Sequence, residues 1–171
     1  MKVPANTGRT ICVFHKQSGR EQREMKNIRN MKEADAKTLA DMEKELFTDS
    51  WSRTALLETC KQNHAKILIA EEADEILGYV IVYCVLDEAE IARIAVSPKR
   101  RRQGVGRCLL DELRRMGKEQ GISRILLDVR ESNRSARAFY EAYGFAQDGI
   151  RRNYYQQPEE HAILMSLPIV E

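Results

Sequence analysis

The fold of this chain is decided by the segment Ile94-Ala95-Val96-Ser97-Pro98-Lys99-Arg100-Arg101-Arg102-Gln103-Gly104-Val105-Gly106-Arg107. Its apolar start predicts a strand, and its basic, glycine-containing end leads directly into a pattern of helical spacing. Main-chain amides in the first turn of a helix have no intrahelical partner, and the helix dipole makes that end positive. Glycines also let a ligand approach the backbone closely. The segment therefore predicts a binding site for the phosphates of a cofactor.

The loop departs from the two best-known phosphate-binding patterns. The mononucleotide loop GxxxxGK[ST] is absent, and the dinucleotide fingerprint GxGxxG is broken at Leu109, where the third glycine would stand. What remains is [R/Q]-x-x-G-x-G, formed by Arg101, Gly104 and Gly106. Taken alone, this short pattern fits a basic helix start with a flexible approach equally well.

Length and composition are typical of one globular domain. The chain has 171 residues, of which 43% are hydrophobic and 32% charged, and its net charge is +2. That charge is too small for a general nucleic-acid binder, although basic residues cluster at positions 99–102. No apolar run approaches the roughly 18 residues of a membrane span. We therefore expect partners other than nucleic acids and membranes and, because an export signal is missing, a cytoplasmic protein.

The sequence gives little indication of a metal-binding site or of disulfide bonds. The cysteines form no CxxC pair, and no histidine stands at ligand spacing from them. We predict no metal site and reduced thiols. The residues concerned are Cys12, Cys60, Cys84, Cys108, His15, His64 and His161.

Along the chain, short strands alternate with amphipathic helices. Residues 1–24 show no periodicity and are interpreted as an N-terminal extension, open to disorder, before a single domain at residues 25–171. The order βααβββαβαββ predicts an α/β (α+β) fold, a mixed and mostly antiparallel sheet of about seven strands with helices on both faces. Predicted strands lie near 27–31, 67–70, 76–86, 91–96, 125–129, 145–152 and 162–167, and predicted helices near 34–46, 51–61, 105–120 and 133–143.

These features resemble the GCN5-related N-acetyltransferase (GNAT) family over about residues 25–169. Within it, the chain is similar to the RimI-like bacterial enzymes that acetylate the N-terminal alanine of a small-subunit ribosomal protein. The phosphate loop is shared by the whole superfamily and therefore indicates only membership of it. The segment at 151–155 is rarer, and its resemblance implies that the acetyl acceptor is a protein N-terminus. The resemblance is carried by Val85-Leu86-Asp87-Glu88-Ala89, Ile94-Ala95-Val96, Arg102-Gln103-Gly104-Val105-Gly106-Arg107, Val129-Arg130-Glu131-Ser132-Asn133, Tyr140-Glu141, Gly144-Phe145 and Arg151-Arg152-Asn153-Tyr154-Tyr155.

The resemblance implies the GNAT fold, acetyl-CoA as co-substrate without a metal, and direct attack by the amine in a ternary complex. The pantetheine arm would pair with the main chain of residues 94–96, where the strands carrying Val96 and Asp128 separate. An amide of that strand would face the thioester oxygen. The implied cofactor-binding residues are Ile94, Ala95, Val96, Arg101, Arg102, Gln103, Gly104, Val105, Gly106, Arg107 and Asn133.

Two side chains are candidates for proton transfer. Tyr140 is the candidate general acid, because a phenol with a pKa near 10 is protonated at neutral pH and can donate to the departing thiolate. Its position on the apolar stripe of its helix also fits a core tyrosine, and the family spacing from Asn133 favours catalysis. Asp128 is the candidate base. The family carries glutamate there, so the shorter aspartate favours a bridging water; the alternative is a strand-end carboxylate paired with Arg130 or Arg124.

The acceptor is expected between residues 47–51 and a polar loop at residues 153–160. There the tyrosines would pack on the first residues of a peptide, and Glu88 or Glu90 would attract basic residues further along. Surface tyrosines and solvated charges are the alternatives. The expected substrate-binding residues are Trp51, Glu88, Tyr154 and Tyr155.

The sequence leaves three other functions open. A related enzyme could acetylate a lysine, a polyamine or another small amine. Because Asp128 departs from the family pattern, the chain could also be a non-catalytic acetyl-CoA sensor. The basic residues 99–102 could belong to a nucleic-acid module, which is the least favoured of the three. The leading hypothesis remains a ribosomal-protein-alanine N-acetyltransferase that is a monomer or weak dimer.

Overall fold

The computed structural model describes residues 10–12 and 26–169, and its elements follow the predicted order. One short strand, β1, precedes them; it lies within the predicted extension 1–24, whose other residues are outside the described part of the chain. Short 3-10 turns cover Glu33–Asp35 and Pro98–Arg100. The strands are β1 (Thr10–Cys12), β2 (Lys26–Asn30), β3 (Ala65–Glu72), β4 (Glu75–Val85), β5 (Glu88–Val96), β6 (Arg124–Arg130), β7 (Ala146–Gln156) and β8 (Glu159–Pro168), and the helices are α1 (Ala36–Leu46), α2 (Arg53–Cys60), α3 (Val105–Gln120) and α4 (Arg134–Tyr143).

The strands form one mixed sheet in the order β1-β2-β3-β4-β5-β6-β8-β7. Strands β1 and β2, β2 and β3, β6 and β8, and β7 and β8 pair in antiparallel fashion, whereas β5 and β6 are parallel. The predicted fold class is confirmed, with β1 as a short additional strand.

The chain divides into two compact units. The first contains the described residues up to Val80 together with Ile94–Glu112, and the second contains Ile81–Arg93 and the described residues from Leu113 onward. Each unit buries apolar side chains of its own. Those of the first include Ile28, Leu39, Leu56, Ile69 and Leu77, and those of the second include Ile81, Leu113, Ile125, Ile163 and Met165.

Local side-chain bonds explain where two helices begin. The hydroxyl of Ser52 accepts from the amide of Ala55 at 3.1 Å at the start of α2. The side chains of Thr48, Asp49 and Ser50 are typical of helix caps and predict a cap before residue 51. That prediction is wrong, because the helix begins later and Ser52 provides the cap. At α4 the sequence predicts Ser132 or Asn133 as the cap. Oδ1 of Asn133 accepts from the amide of Ala136 at 3.1 Å, which confirms Asn133.

The last two strands form a longer hairpin than predicted. Strand β7 continues to Gln156 and β8 begins at Glu159, so that only Gln157 and Pro158, joined by a cis peptide bond, make the turn. The predicted polar loop at residues 153–160 is therefore mostly strand. Its side chains are polar on both faces. Because apolar and polar residues do not alternate there, hydrophobic periodicity does not predict a strand.

Two kinds of feature are absent from the described ranges, 10–12 and 26–169. No helix there combines the length and the apolar character needed to cross a membrane. No group of three or more His, Cys, Asp or Glu side chains is arranged there to hold a metal ion.

Candidate active site

In the first unit, strand β5 leads into the turn that the sequence predicts to bind phosphates. The amide of Cys108 donates to the carbonyl of Gly104 at 3.0 Å, which starts the hydrogen-bond ladder of α3. In the part of the chain that the structure describes, the main-chain hydrogen bonds outside helices and strands include none donated by the amides of residues 103–106. A run of main-chain donors is therefore available at the positive end of α3.

The backbone of this turn has an unusual conformation. Gly104 has φ +75°, and Arg102, which has a side chain, has φ +59°. The left-handed conformation costs a residue other than glycine about 1 kcal/mol. The side chain of Gln103 donates to the carbonyl of Lys99 at 3.0 Å and closes the turn. The turn thus places the amides of residues 103 and 104 directly before the first residue of α3, where we predict the diphosphate to bind.

The arginines of the loop have different surroundings. Arg100 donates to Glu75 and lies 3.7 Å from the carboxylate of Glu72, so its charge is matched within the protein. Arg101 and Arg102 are exposed. We therefore predict that Arg101 and Arg102 meet the phosphates, whereas Arg100 fastens the loop.

The strand before the loop is approached closely by β4. A Cβ atom on Gly78 would lie 2.5 Å from the carbonyl oxygen of Ala95 and 3.2 Å from the Cα of Val96. The amide of Ser97 donates to the carbonyl of Leu77 at 2.9 Å. Only glycine permits this approach. The close contact holds the end of β5, which is predicted to pair with the pantetheine arm, against β4.

Trp51, a predicted acceptor residue, lies in the segment between α1 and α2. Its amide donates to Oε2 of Glu43 at 2.9 Å, and Oε1 of the same carboxylate accepts from the hydroxyl of Tyr79. Glu43 and Tyr79 are fully buried. The segment is therefore anchored through its main chain to α1 and β4.

In the second unit, the candidate base Asp128 lies on β6 with a side chain that is 22% exposed. Its carboxylate accepts from Nη1 of Arg151 at 3.1 Å. The partners considered from the sequence, Arg130 and Arg124, are wrong. Arg124 pairs instead with Glu88, at the other end of β6.

Strand register explains why Arg151 is the partner. Arg130 of β6 stands opposite Ala162 of β8, which stands opposite Arg151 of β7. Residues paired in this way point to the same face of the sheet, and Asp128, two residues before Arg130, shares that face. The long side chain of Arg151 therefore reaches Asp128 diagonally across β8.

The two predicted acceptor tyrosines join this cluster. The guanidinium of Arg130 lies 4.0 Å from the ring centre of Tyr155, and that of Arg151 lies 4.7 Å from the ring centre of Tyr154. The two ring centres are 5.1 Å apart at 78°. Arg130 also pairs with Glu160 at 3.3 Å. The cluster thus combines cations with aromatic rings on the face that carries the candidate base.

Tyr140, the candidate acid, is 6% exposed on α4. Its ring packs against Phe139 and Phe145, with ring centres 5.3 and 5.5 Å away. Burial raises the pKa of Tyr140 above its ordinary value, with a smaller contribution from Tyr155. The hydroxyl is therefore protonated at neutral pH, and its role as proton donor stays a prediction.

The parallel pairing of β5 and β6 ends part-way along β6. Its last pair is Ile91 with Leu127, whereas β6 remains paired with β8 as far as Arg130. The end of β6 beginning at Asp128 thus has no β5 partner in the pairing of the described residues. The separation of strands expected beside Asp128 stays a prediction.

The binding roles of Asn133 and Glu88 stay predictions, and the structure shows the hydrogen bonds that both side chains make. The cap of α4 uses only Oδ1 of Asn133, which leaves its NH₂ group for a ligand. Glu88 is engaged by Arg124, about 13 Å along the strand from the level of Asp128. A role for Glu88 with the acceptor would require that ion pair to be shared.

Comparison with known proteins decides the family. Residues 36–145 match the model of the acetyltransferase (GNAT) family. The chain belongs to this family. It is 33% identical over 147 residues to the ribosomal protein bS18-alanine N-acetyltransferase of Escherichia coli strain K12, which covers 85% of this chain and 99% of that protein. The corresponding enzyme of Haemophilus influenzae is 34% identical over 145 residues, 83% of this chain and 98% of the relative.

Solved structures agree with this GNAT assignment. The crystal structure of the Escherichia coli ribosomal-protein-S18-alanine N-acetyltransferase matches with a TM-score of 0.78 at 33% identity, over 86% of this chain and 96% of that one. A PaiA N-acetyltransferase from Thermoplasma acidophilum in complex with coenzyme A, at 20% identity and a TM-score of 0.71 over 84% and 98% of the two chains, supports the fold alone. The protein is an acetyl-CoA-dependent N-acetyltransferase, as the family resemblance implied.

The contact between Arg151 and Asp128 in this acetyltransferase does not follow from the sequence alone. The signal was present as two adjacent arginines on the penultimate strand. Only the register of three strands shows which of them reaches the carboxylate.

Proposed function

We propose that this acetyltransferase transfers the acetyl group of acetyl-CoA to the N-terminal α-amine of a protein, the N-terminal alanine of a small-subunit ribosomal protein. The observation that carries the proposal is the likeness to the Escherichia coli bS18-alanine enzyme, which extends over 99% of that protein. The arginine–tyrosine cluster at Tyr154 and Tyr155 supports it, because this rare segment is ordered beside the candidate base.

The chemistry of the acceptor suits a weak or distant base. At pH 7 an α-amino group with a pKa near 8 is neutral in about a tenth of the molecules, whereas a lysine with a pKa near 10.4 is neutral in about 0.04%. Asp128, one methylene shorter than glutamate, would take the proton through one water. A terminal amine tolerates that arrangement far better than a lysine does.

The roles of the residues follow from the bonds that change. The amine nitrogen forms a bond to the acetyl carbon and loses a proton towards Asp128, while the carbon–sulfur bond breaks and the sulfur gains a proton from Tyr140. The main chain of residues 94–96 would hold the pantetheine arm. The amides of residues 103–106, together with the side chains of Arg101 and Arg102, would bind the diphosphate.

We further propose the setting in which the enzyme acts. The modest net charge of +2 and the matched charge of Arg100 support an enzyme that acts without nucleic acid or membrane. A cytoplasmic monomer or weak dimer that works on a ribosomal protein completes the proposal.

The proposal is tested with three peptides of one sequence. The first begins with a free alanine, the second has a blocked N-terminus and a free lysine, and the third has both free. Mass spectrometry with fragmentation after incubation with acetyl-CoA should place one acetyl group on the α-amine of the first and third peptides. Acetylation of lysine alone, or of none, would contradict it.

A further inference from the structure

Strand β7 contains a bulge that faces a single residue of β8. The register shifts between Arg151 and Tyr155, so that residues 152–154 stand opposite His161 alone. Asn153, in the middle of the bulge, has a left-handed backbone with φ +48°. Asparagine adopts this conformation more readily than most residues with a side chain, which suits it to the middle of a bulge.

The imidazole of His161 holds this bulge. Its Nδ1 accepts from the main-chain amide of Asn153 at 3.0 Å. The carbonyl of His161 accepts from the amide of Glu131 at 3.1 Å and is therefore engaged elsewhere. The side chain thus supplies the acceptor that the strand ladder lacks. A bond accepted at Nδ1 requires a neutral ring with its proton on Nε2.

The bulge brings two consecutive tyrosines together. Neighbouring side chains of a regular strand point to opposite faces of the sheet. Tyr154 and Tyr155 instead have ring centres 5.1 Å apart, each with an arginine over its ring. Because Asn153 directly precedes the pair, the bond from its amide to His161 sets how both rings are presented.

We propose that His161, as the neutral Nε2–H tautomer, is a positioning residue for acceptor recognition. It fixes Asn153 and thereby holds Tyr154 and Tyr155 as one surface for the first residues of the acceptor. The inference rests on the proposed function, because it takes the tyrosine pair as the acceptor-binding surface. His161 transfers no proton in this account.

Three substitutions of His161 distinguish the effect of the hydrogen-bond acceptor from the effect of side-chain size. His161→Asn places an oxygen the same number of bonds from Cα as Nδ1 and keeps the acceptor. His161→Gln places its oxygen one bond further out, where Nε2 was. His161→Leu fills space without any acceptor. All three are compared with the wild type for the KM of the alanine peptide, the KM of acetyl-CoA and the thermal midpoint.

The expected result is a selective loss with a selective rescue. His161→Leu and His161→Gln should raise the KM of the peptide about 5-fold, which corresponds to one hydrogen bond of ordinary strength. His161→Asn should stay within a factor of about two of the wild type. The KM of acetyl-CoA should not change. In the free enzyme, the ¹⁵N shifts of the His161 ring should be those of the Nε2–H tautomer.

Several results would overturn the inference. These are an Asn variant as impaired as Leu, a wild-type peptide KM in all three variants, parallel changes in both KM values, or an Nδ1–H tautomer. If the wild type acetylates a different amine, the proposed function fails by itself. The same variants are then compared on that amine, and an unchanged KM there overturns the inference as well.

Discussion

Arg151 of β7 reaches across β8 to the carboxylate of Asp128 on β6, with 3.1 Å between nitrogen and oxygen. The same guanidinium lies over the ring of Tyr154, a predicted acceptor residue. One arginine therefore joins the candidate base to the surface predicted to receive the acceptor, so removal of the base and removal of the ion pair must be tested separately.

Asp128→Asn should lower kcat/KM by about 10²-fold, the lower end of the range for acid–base catalysis, and most strongly at low pH. A larger share of the acceptor amine is protonated there, so the base matters more. The measurement is kcat/KM as a function of pH. Arg151→Gln is the matched control, because it removes the same ion pair and keeps the carboxylate; its loss should be smaller. An equal loss at every pH would assign Asp128 a positioning role.

Tyr140→Phe should lower kcat about 10²-fold and leave both KM values nearly unchanged, since the ring keeps its packing. Tyr143→Phe, on the same helix, is the control. Burial raises the folded-state pKa of Tyr140 above its unfolded value, so its stabilising contribution is complete below about pH 10 and is lost as the pH rises further. Chemical denaturation should therefore show a shallower alkaline loss in Tyr140→Phe. Wild-type kcat in that variant would make Tyr140 a core residue only.

Gly78→Ala should destabilise the protein by about 1–3 kcal/mol, because its Cβ would meet the carbonyl of Ala95 at 2.5 Å. The KM of acetyl-CoA should rise as well, since the displaced strand is the one predicted to pair with the pantetheine arm. Gly149→Ala is the control, as its nearest neighbour would be 3.9 Å away. Thermal unfolding and steady-state kinetics provide both numbers. Equal behaviour of the two variants would disprove the close approach.

Arg102→Ala and Arg102→Gly remove the same charge but differ in backbone freedom. Both should raise the KM of acetyl-CoA, and only the glycine variant should gain stability, because φ is +59° at this position. Arg100→Ala, which loses its ion pairs with Glu75 and Glu72, should chiefly alter stability. The assay is repeated at high salt, where the wild type should approach the variants. Salt-independent KM values would contradict a phosphate contact.

The order of elements could be predicted because the signals are local. The apolar stripe of α3, the cap at Asn133 and the glycine that ends α4 each act within one turn of helix. The same holds for the phosphate turn, whose strand, glycines and helix are contiguous in sequence. Family resemblance then supplied the acetyl-CoA that local pattern alone left open.

The surroundings of the candidate side chains could not be predicted, because they depend on register. Nothing local shows that residues 152–154 face His161 alone, or that Arg151 lies opposite Ala162. The polar strands of the last hairpin lack the alternation that reveals a strand, so the sequence predicts a loop there. The ion pair of Asp128 is a consequence of both features.

The central claim is that main-chain amides of residues 103–106 hold the diphosphate of acetyl-CoA. Amide ¹H–¹⁵N spectra recorded during titration test it directly, with coenzyme A, with dephospho-coenzyme A, which keeps the diphosphate, and with pantetheine, which lacks it. We expect the resonances of Gln103, Gly104, Val105 and Gly106 to shift with the first two ligands and not with pantetheine. Resonances that stay in place while coenzyme A binds elsewhere would contradict the account.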